Sequence, residues 1–308
     1  MVAVQKNVLS TLMARYTLHP ELLDIYVEGK FDKDFLEYVI ARANLQHHVK
    51  VYEISTVDIP NALIETLNKN NFANWLKFKS NKHRIVAFSH ELSKGIKKGN
   101  VFGLIDADCD RVLAKIFDIR HLQYTLPTCM EAYFLSSTML KYFFTLQCKL
   151  SEAKIQDFLA IADLILPVLF TMRAVNEQEE LNCAVTSYTT AINKKGDLLS
   201  FDKNKYISSY IATHKLHHKQ TLIENSFKII FNSLGLDIRD KCNGHDFMDL
   251  LFAYIKKEGS MQFQGHETNV LEYGNRLLIS TVNPSDFMNF DPFILIDNAI
   301  KNNNLIWN

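Results

Sequence analysis

Between Glu21 and Phe134 short apolar runs alternate with segments of helical period, and this alternation restricts the fold more than any other feature of the chain. LLDIYVEG (22–29) is an aliphatic run ending in glycine and is expected to be a strand. DKDFLEYVIARANL (32–45) sets Phe35, Val39, Ile40 and Leu45 on one face of a helix, with Asp32 placed to be its N-cap. VKVYEIS (49–55) reads as a second strand, NALIETLNK (61–69) and HRIVAFSHEL (83–92) as helices, NVFGLIDAD (100–108) as a third strand and RHLQYTL (120–126) as a fourth. Strands and helices taken in turn build an α/β fold around an open sheet. Val101–Ile105 is continuously apolar, which suits a mostly parallel sheet covered by helices on both faces.

Past Glu131 the pattern changes. Segments 131–146, 151–175, 177–192, 204–216, 220–234 and 246–257 all carry helical periodicity, joined by short polar stretches such as NKKGD (193–197). They read as a large helical insertion or second domain. From Gly259 the text is mixed, with LLIST (277–281) expected as a strand and PFILIDNAIK (292–301) as a helix. The expected division is therefore 1–145 for the α/β domain and 146–308 for a mainly helical one with a mixed C-terminal segment.

Composition excludes several classes. Hydrophobic residues make up 47% of the 308 positions and charged residues 22%, the balance of a folded chain rather than a disordered one. The formal net charge is zero, so no global positive field draws the chain to nucleic acid, and any such site must rest on local clusters, a metal or a partner. The five cysteines (Cys109, Cys129, Cys148, Cys183, Cys242) form no C-x-x-C pair and suit reduced thiols. The N-terminal stretch lacks an uninterrupted apolar core, so no signal peptide is expected. Ile155–Val175 is broken by Asp157, Asp163, Pro167 and Arg173 and reads as a buried helix rather than a membrane span. The expectation is a cytoplasmic protein with no membrane partner.

Three carboxylates stand where strands are expected to end. Glu28 closes the first strand directly before Gly29, and Asp106 and Asp108 close the third. In open α/β sheets ligands bind at the carboxyl ends of strands. Residues two apart in an extended segment face one side, so both aspartates can address one ion. Oxygen donors without histidine or cysteine nearby suit a hard cation, Mg²⁺ or Mn²⁺. A lone acid at a strand end is more often a helix cap or a loop residue. Here V-E-G-x-x-D is paired with a distant apolar strand ending D-x-D, which is more specific.

IYVEGKFDKDFL (25–36) together with FGLIDADCD (102–110) resembles the TOPRIM domain shared by topoisomerases, bacterial primases, RNase M5-like maturases and OLD-family nucleases. The resemblance covers roughly the first 135 residues and implies a compact α/β sandwich whose glutamate and D-x-D bind magnesium. VFGLIDAD (101–108), MEAYFL (130–135) and N-G-H-D (243–246) further resemble the TOPRIM effectors of anti-phage systems, the AriB-type subunits of PARIS. The resemblance implies Glu28, Asp106 and Asp108 as metal and catalytic acids, Glu131 as a further acid, and RNA, with tRNA the implied substrate. It also implies a separate AriA-like ATPase sensor subunit; a homodimer in the active form is expected instead from the neutral chain and its few basic runs, two weak patches combining. Asp110 makes the motif D-A-D-C-D, so the pair of aspartates that would hold metal stays open among Asp106, Asp108 and Asp110. RNA and DNA also remain open as substrates, an OLD-like DNA nuclease and a non-catalytic TOPRIM subunit being the rivals. The chain has no G-x-x-x-x-G-K-[ST] loop, which favours an ATPase on another polypeptide.

Secondary signals are weaker. His245 is a candidate proton donor or phosphate contact, and Asp246 is equally well placed to cap the following helix. Lys30 and Arg111 adjoin the acidic motifs and are candidate phosphate contacts, with Lys33 near the first. Lys94, Lys97 and Lys98 with His90 make a basic run that reads equally as a solvated helix end. His214 and His218 have the i, i+4 spacing of metal ligands but no H-E-x-x-H context.

Overall fold

The computed structural model describes residues 6–70, 80–97, 99–195, 198–258, 267–287 and 292–302. Lys98 and residues 196–197 of the expected NKKGD join lie outside them. The chain is α/β and divides into two compact units, the first made of Met1–Asp106, Phe117–Leu126 and Leu271–Asn308, the second of Ala107–Ile116 and Pro127–Val270. This partition differs from a cut near residue 145. The second unit starts inside the D-A-D-C-D motif, and the C-terminal segment returns to the first.

The first unit opens with β1 (Asn7–Val8) and α1 (Leu9–Leu18), then β2 (Leu23–Val27), α2 (Lys30–Arg42), β3 (Val49–Glu53) and β4 (Val57–Asp58). It continues with α3 (Asn61–Asn70), α4 (Asn81–Gly95), β5 (Phe102–Ile105) and β6 (Leu122–Tyr124). β3, β2, β5 and β6 lie in that order in one sheet, every pairing parallel, while β1 and β4 form a separate parallel pair. All of β2 and β5 is buried, as expected of strands covered on both faces. α4 lies so close to β5 that a Cβ on Gly103 would stand 2.7 Å from Ser89 Oγ and closer still to Ile85, which is why glycine occupies a strand interior.

Phe35, Leu36, Val39 and Ile40 are the buried face of α2. Its cap differs from expectation. Gly29 is the N-cap, and Asp32 is the third helical residue, its Oδ2 accepting the Gly29 N–H at 3.1 Å. The chain comes back to this unit through the helices Glu267–Ser280 and Phe293–Asn302. The expected strand LLIST lies mostly inside the first of them, where Gly274 and Leu278, four apart, are buried while Arg276 and Ser280 are exposed, the pattern of a helix rather than of a strand. Phe287 and Phe293 meet Phe35 of α2 edge-on, with centroids 5.0 and 6.3 Å apart.

The second unit is helical, with α5 (Ser137–Tyr142), α6 (Glu152–Gln178), the antiparallel hairpin β7 (Ile192–Lys195) and β8 (Leu198–Phe201), α7 (Lys203–Thr213), α8 (Gln220–Ser233) and α9 (Gly244–Lys257). α6 is its axis, packed by α5, α8 and α9. By length and hydropathy it is long and apolar enough to cross a membrane, but 67% of its apolar stretch is buried inside the protein, as expected of a core helix. Phe144, Phe158, Phe247 and Tyr254 interlock around it. Residues 177–192 are not a further helix. The Asn176 side chain bonds both backbone groups of Cys183, at 2.9 and 3.0 Å, and Glu180 and Asn182 adopt positive φ, so a side-chain amide ends α6 where periodicity alone would extend it.

Candidate functional site

β2 and β5 are parallel neighbours, so Glu28 and Asp106 leave the sheet at one edge. Glu28 Oε1 accepts the Asp106 N–H at 3.0 Å, joining positions 78 apart in sequence. The Glu28 carbonyl in turn accepts the Asn81 side-chain amide at 2.7 Å, from the first turn of α4. Glu28 and Asp106 thus meet as a side chain bonded to a backbone amide. Lys30 is exposed at the start of α2, and Lys33 pairs along the same helix with Glu37 at 3.8 Å.

The expected pairing of Asp106 with Asp108 rested on an extended chain, and the strand stops at Ile105. Asp108 has φ 42°, a left-handed conformation that aspartate tolerates better than most residues. Alternation therefore no longer fixes which way its carboxylate points. Its N–H donates to the Thr128 carbonyl at 2.6 Å. Asp110 is buried inside the turn that follows, its N–H bonded to Ala107 O and its carbonyl to the Lys115 N–H. Arg111 is exposed and lowers the Asp240 carboxyl pKa, against burial and Asp237, which together hold it up.

Thr128 links three stretches of the second unit. Besides accepting from Asp108, it donates its N–H to Arg239 O at 3.0 Å and its hydroxyl to Cys242 O at 2.5 Å. The strand-end turn, the segment leading to Glu131 and the loop leading to Gly244 are thus bonded into one frame. Within it the Glu131 carboxyl lies against the first turn of α9. A Cβ on Gly244 would stand 2.6 Å from Glu131 Cδ and 3.0 Å from Oε1, with Oε2 nearer still. Gly244 is helical and needs no left-handed freedom, so it is the missing side chain that matters. Asn243 caps this turn, its Oδ1 accepting the His245 N–H at 3.2 Å.

The Glu131 carboxyl is held above the usual carboxylate range, first because it is buried. His245 and a hydrogen bond from Cys129 pull it down, and the neighbouring negative charge of Asp108 pushes it up. Glu131 is therefore within electrostatic reach of both Asp108 and His245. MEAYFL and N-G-H-D, far apart in sequence, belong to one seat.

The chain matches no protein-family model and no curated protein.

As to a bound ion, no group of three or more His, Cys, Asp or Glu side chains is gathered for a metal among the described residues. Mg²⁺ keeps most of its waters and asks for one or two carboxylates, and Glu28 and Asp106 are oxygen donors of the type it takes. His214 bonds the Ala184 carbonyl at 2.8 Å and packs on Tyr210, so it serves the fold. Lys94 pairs with Glu91 at 2.7 Å.

Two residues of the second unit escaped the sequence reading. Thr128 had no signal. Arg173 appears in the sequence only as a break in an apolar stretch, and a lone arginine amid apolar helix residues is itself a sign of a buried partner. That partner is Asp246, the third residue of α9, gripped at 2.7 and 2.6 Å.

Proposed function

We propose that this chain is a metal-dependent TOPRIM-type endonuclease, the toxic effector of an anti-phage system, cutting RNA (tRNA as the substrate) when a separate ATPase sensor releases it. The observation that carries this reading is the Glu28 carboxylate bonded to the Asp106 amide at the ends of adjacent parallel strands, where α/β folds bind ligands. Glu28 and Asp106 would hold Mg²⁺ or Mn²⁺, with Asp108 and Asp110 as further candidate donors. A bound ion would supply charge neutralisation at the phosphate and a more acidic water.

The protein's own groups have separate tasks. Glu131 is half-buried and its carboxyl is held above the ordinary carboxylate range by loss of water, the direction that suits a group giving or taking a proton. His245, exposed beside it, is the second candidate for proton transfer. Lys30 and Arg111 are both exposed and would contact phosphate oxygens.

Purified protein incubated with tRNA and with supercoiled plasmid, with and without Mg²⁺, tests the reading. Metal-dependent tRNA cleavage that Glu28→Ala abolishes is the expected result. Plasmid nicking alone would make the chain an OLD-like DNA nuclease. A further reading is a TOPRIM subunit that binds without cutting. It stands if Glu28→Ala leaves phage protection and toxicity intact.

A further inference from the structure

We infer that Arg173 is a positioning residue of the Glu131 seat, acting through Asp246. This inference rests on the nuclease reading for its catalytic consequence and on geometry alone for its structural one.

Asp246 is the third residue of α9, a place where a carboxylate ordinarily turns back to the unpaired N–H groups of its own helix. Here both its oxygens are taken by Arg173, Nε to Oδ2 at 2.7 Å and Nη2 to Oδ1 at 2.6 Å, the side chain of Asp246 being only 10% exposed. Arg173 stands near the C-terminal end of α6, the axis of the unit. A two-point fork between rigid helices fixes rotation as well as distance, which one ammonium contact would not do. Asp249, His245, Tyr188 and Tyr206 surround the pair without replacing either bond.

The segment that this fork immobilises is Gly244–Asp246. Gly244 is the backbone against which the Glu131 carboxyl lies, and His245 is the imidazole within its electrostatic reach. Thr128 already ties the loop before Gly244 to the segment before Glu131, on the N-terminal side of that turn. The fork from α6 holds its other side, at Asp246, from outside the seat. Arg173 touches neither Glu131 nor His245 in any hydrogen bond or ion pair among the described residues.

The test uses the full chain and compares wild type, Arg173→Lys, Arg173→Met, Asp246→Asn and the double variant Arg173→Met/Asp246→Asn. The double variant matters because either single change leaves a buried charge and can fail to fold, whereas the pair removes both charges. Two readouts are taken. In the first, tRNA cleavage by the folded double variant is expected to lose about 100-fold in kcat with KM held within about threefold, the effect of misplacing a reacting group by roughly 1 Å. In the second, without metal or substrate, Glu131→Gln is expected to shift the His245 imidazole NMR signals in the wild-type background and not in the double-variant background. Arg173→Lys should fall between the two in both.

If wild type does not cleave but the NMR coupling behaves as stated, the nuclease reading falls and the positioning role stands. A folded double variant with wild-type kcat, or with the His245 response to Glu131→Gln intact, overturns the positioning role whatever becomes of the nuclease.

Discussion

Replacing Gly244 by alanine tests the seat more sharply than removing a charge. On intrinsic grounds the change should help, since alanine favours a helix over glycine by up to about 1 kcal/mol. In this protein the new Cβ would stand 2.6 Å from Glu131 Cδ, and an ordinary contact begins near 3.4 Å. The neighbour must retreat by nearly an ångström. Glu131 opens a 3-10 turn whose next three residues are buried, so its backbone stays put and its side chain must yield by rotating out of the seat. Overpacking of this kind costs about 1–3 kcal/mol. The expectation is a net loss of about 1–2 kcal/mol from Gly244→Ala alone.

The same substitution in a Glu131→Ala background meets no carboxyl and should be neutral or mildly stabilising. The coupling between the two sites is then about 2 kcal/mol, within the range found for residues in contact. For a unit of this size it corresponds to roughly 4–8 °C in Tm. Thermal unfolding followed by circular dichroism on wild type, both single variants and the double variant measures it. Because the chain has two compact units, the comparison uses the transition that Glu131→Ala itself moves. Equal effects of Gly244→Ala in both backgrounds would refute the argument, since they would mean that the carboxyl does not occupy the space a Cβ needs.

Two further predictions concern buried polar groups. Burial holds the Glu131 pKa above its unfolded value, so the carboxyl contributes stability at acid pH that is lost as pH rises through the folded pKa; Glu131→Gln should therefore raise Tm at pH 8 and not at pH 4, and an unchanged difference across that range would sink the claim. In the first unit the Tyr16 hydroxyl donates to the buried Asp24 carboxylate at 2.8 Å and lies 2.7 Å from the Tyr26 hydroxyl, so Tyr16→Phe leaves Asp24 with Arg15 as its remaining ion partner at 3.1 Å; the expected cost is about 1–3 kcal/mol in urea unfolding, and a wild-type midpoint would show that the network is not stabilising.

The first unit was largely legible because its signals are local. Strands such as LDIYV are buried on both faces, and that requires an apolar run anyone can read. Helix ends were less legible, since Asp32 and Asp246 both sit near a start, and only geometry separates the N-cap from the third residue. The same ambiguity explains 177–192, where the amide of Asn176, an ordinary helix residue in sequence, ends α6 by bonding Cys183.

At the candidate site, sequence reasoning related the acidic residues by strand alternation, and the structure relates them differently. Glu28 was expected near both aspartates because period-two alternation was carried past Ile105, yet Asp108 turns left-handed and its N–H is spent on Thr128. Alternation is a property of strands, and a site at a strand's end lies where that property stops. Glu131 and Gly244 show the converse. No periodicity relates them; the sequence offers MEAYFL and N-G-H-D as separate motifs, and the one trace of their contact is the glycine that opens a helix. A glycine that needs neither a turn nor a positive φ marks a place where something else must come close, and here it is a carboxyl with a raised pKa. The position of Arg173 follows from the same reasoning. A charge placed among thirteen buried residues of one helix is retained only where a partner waits for it, and that partner lies on the turn that carries the glycine.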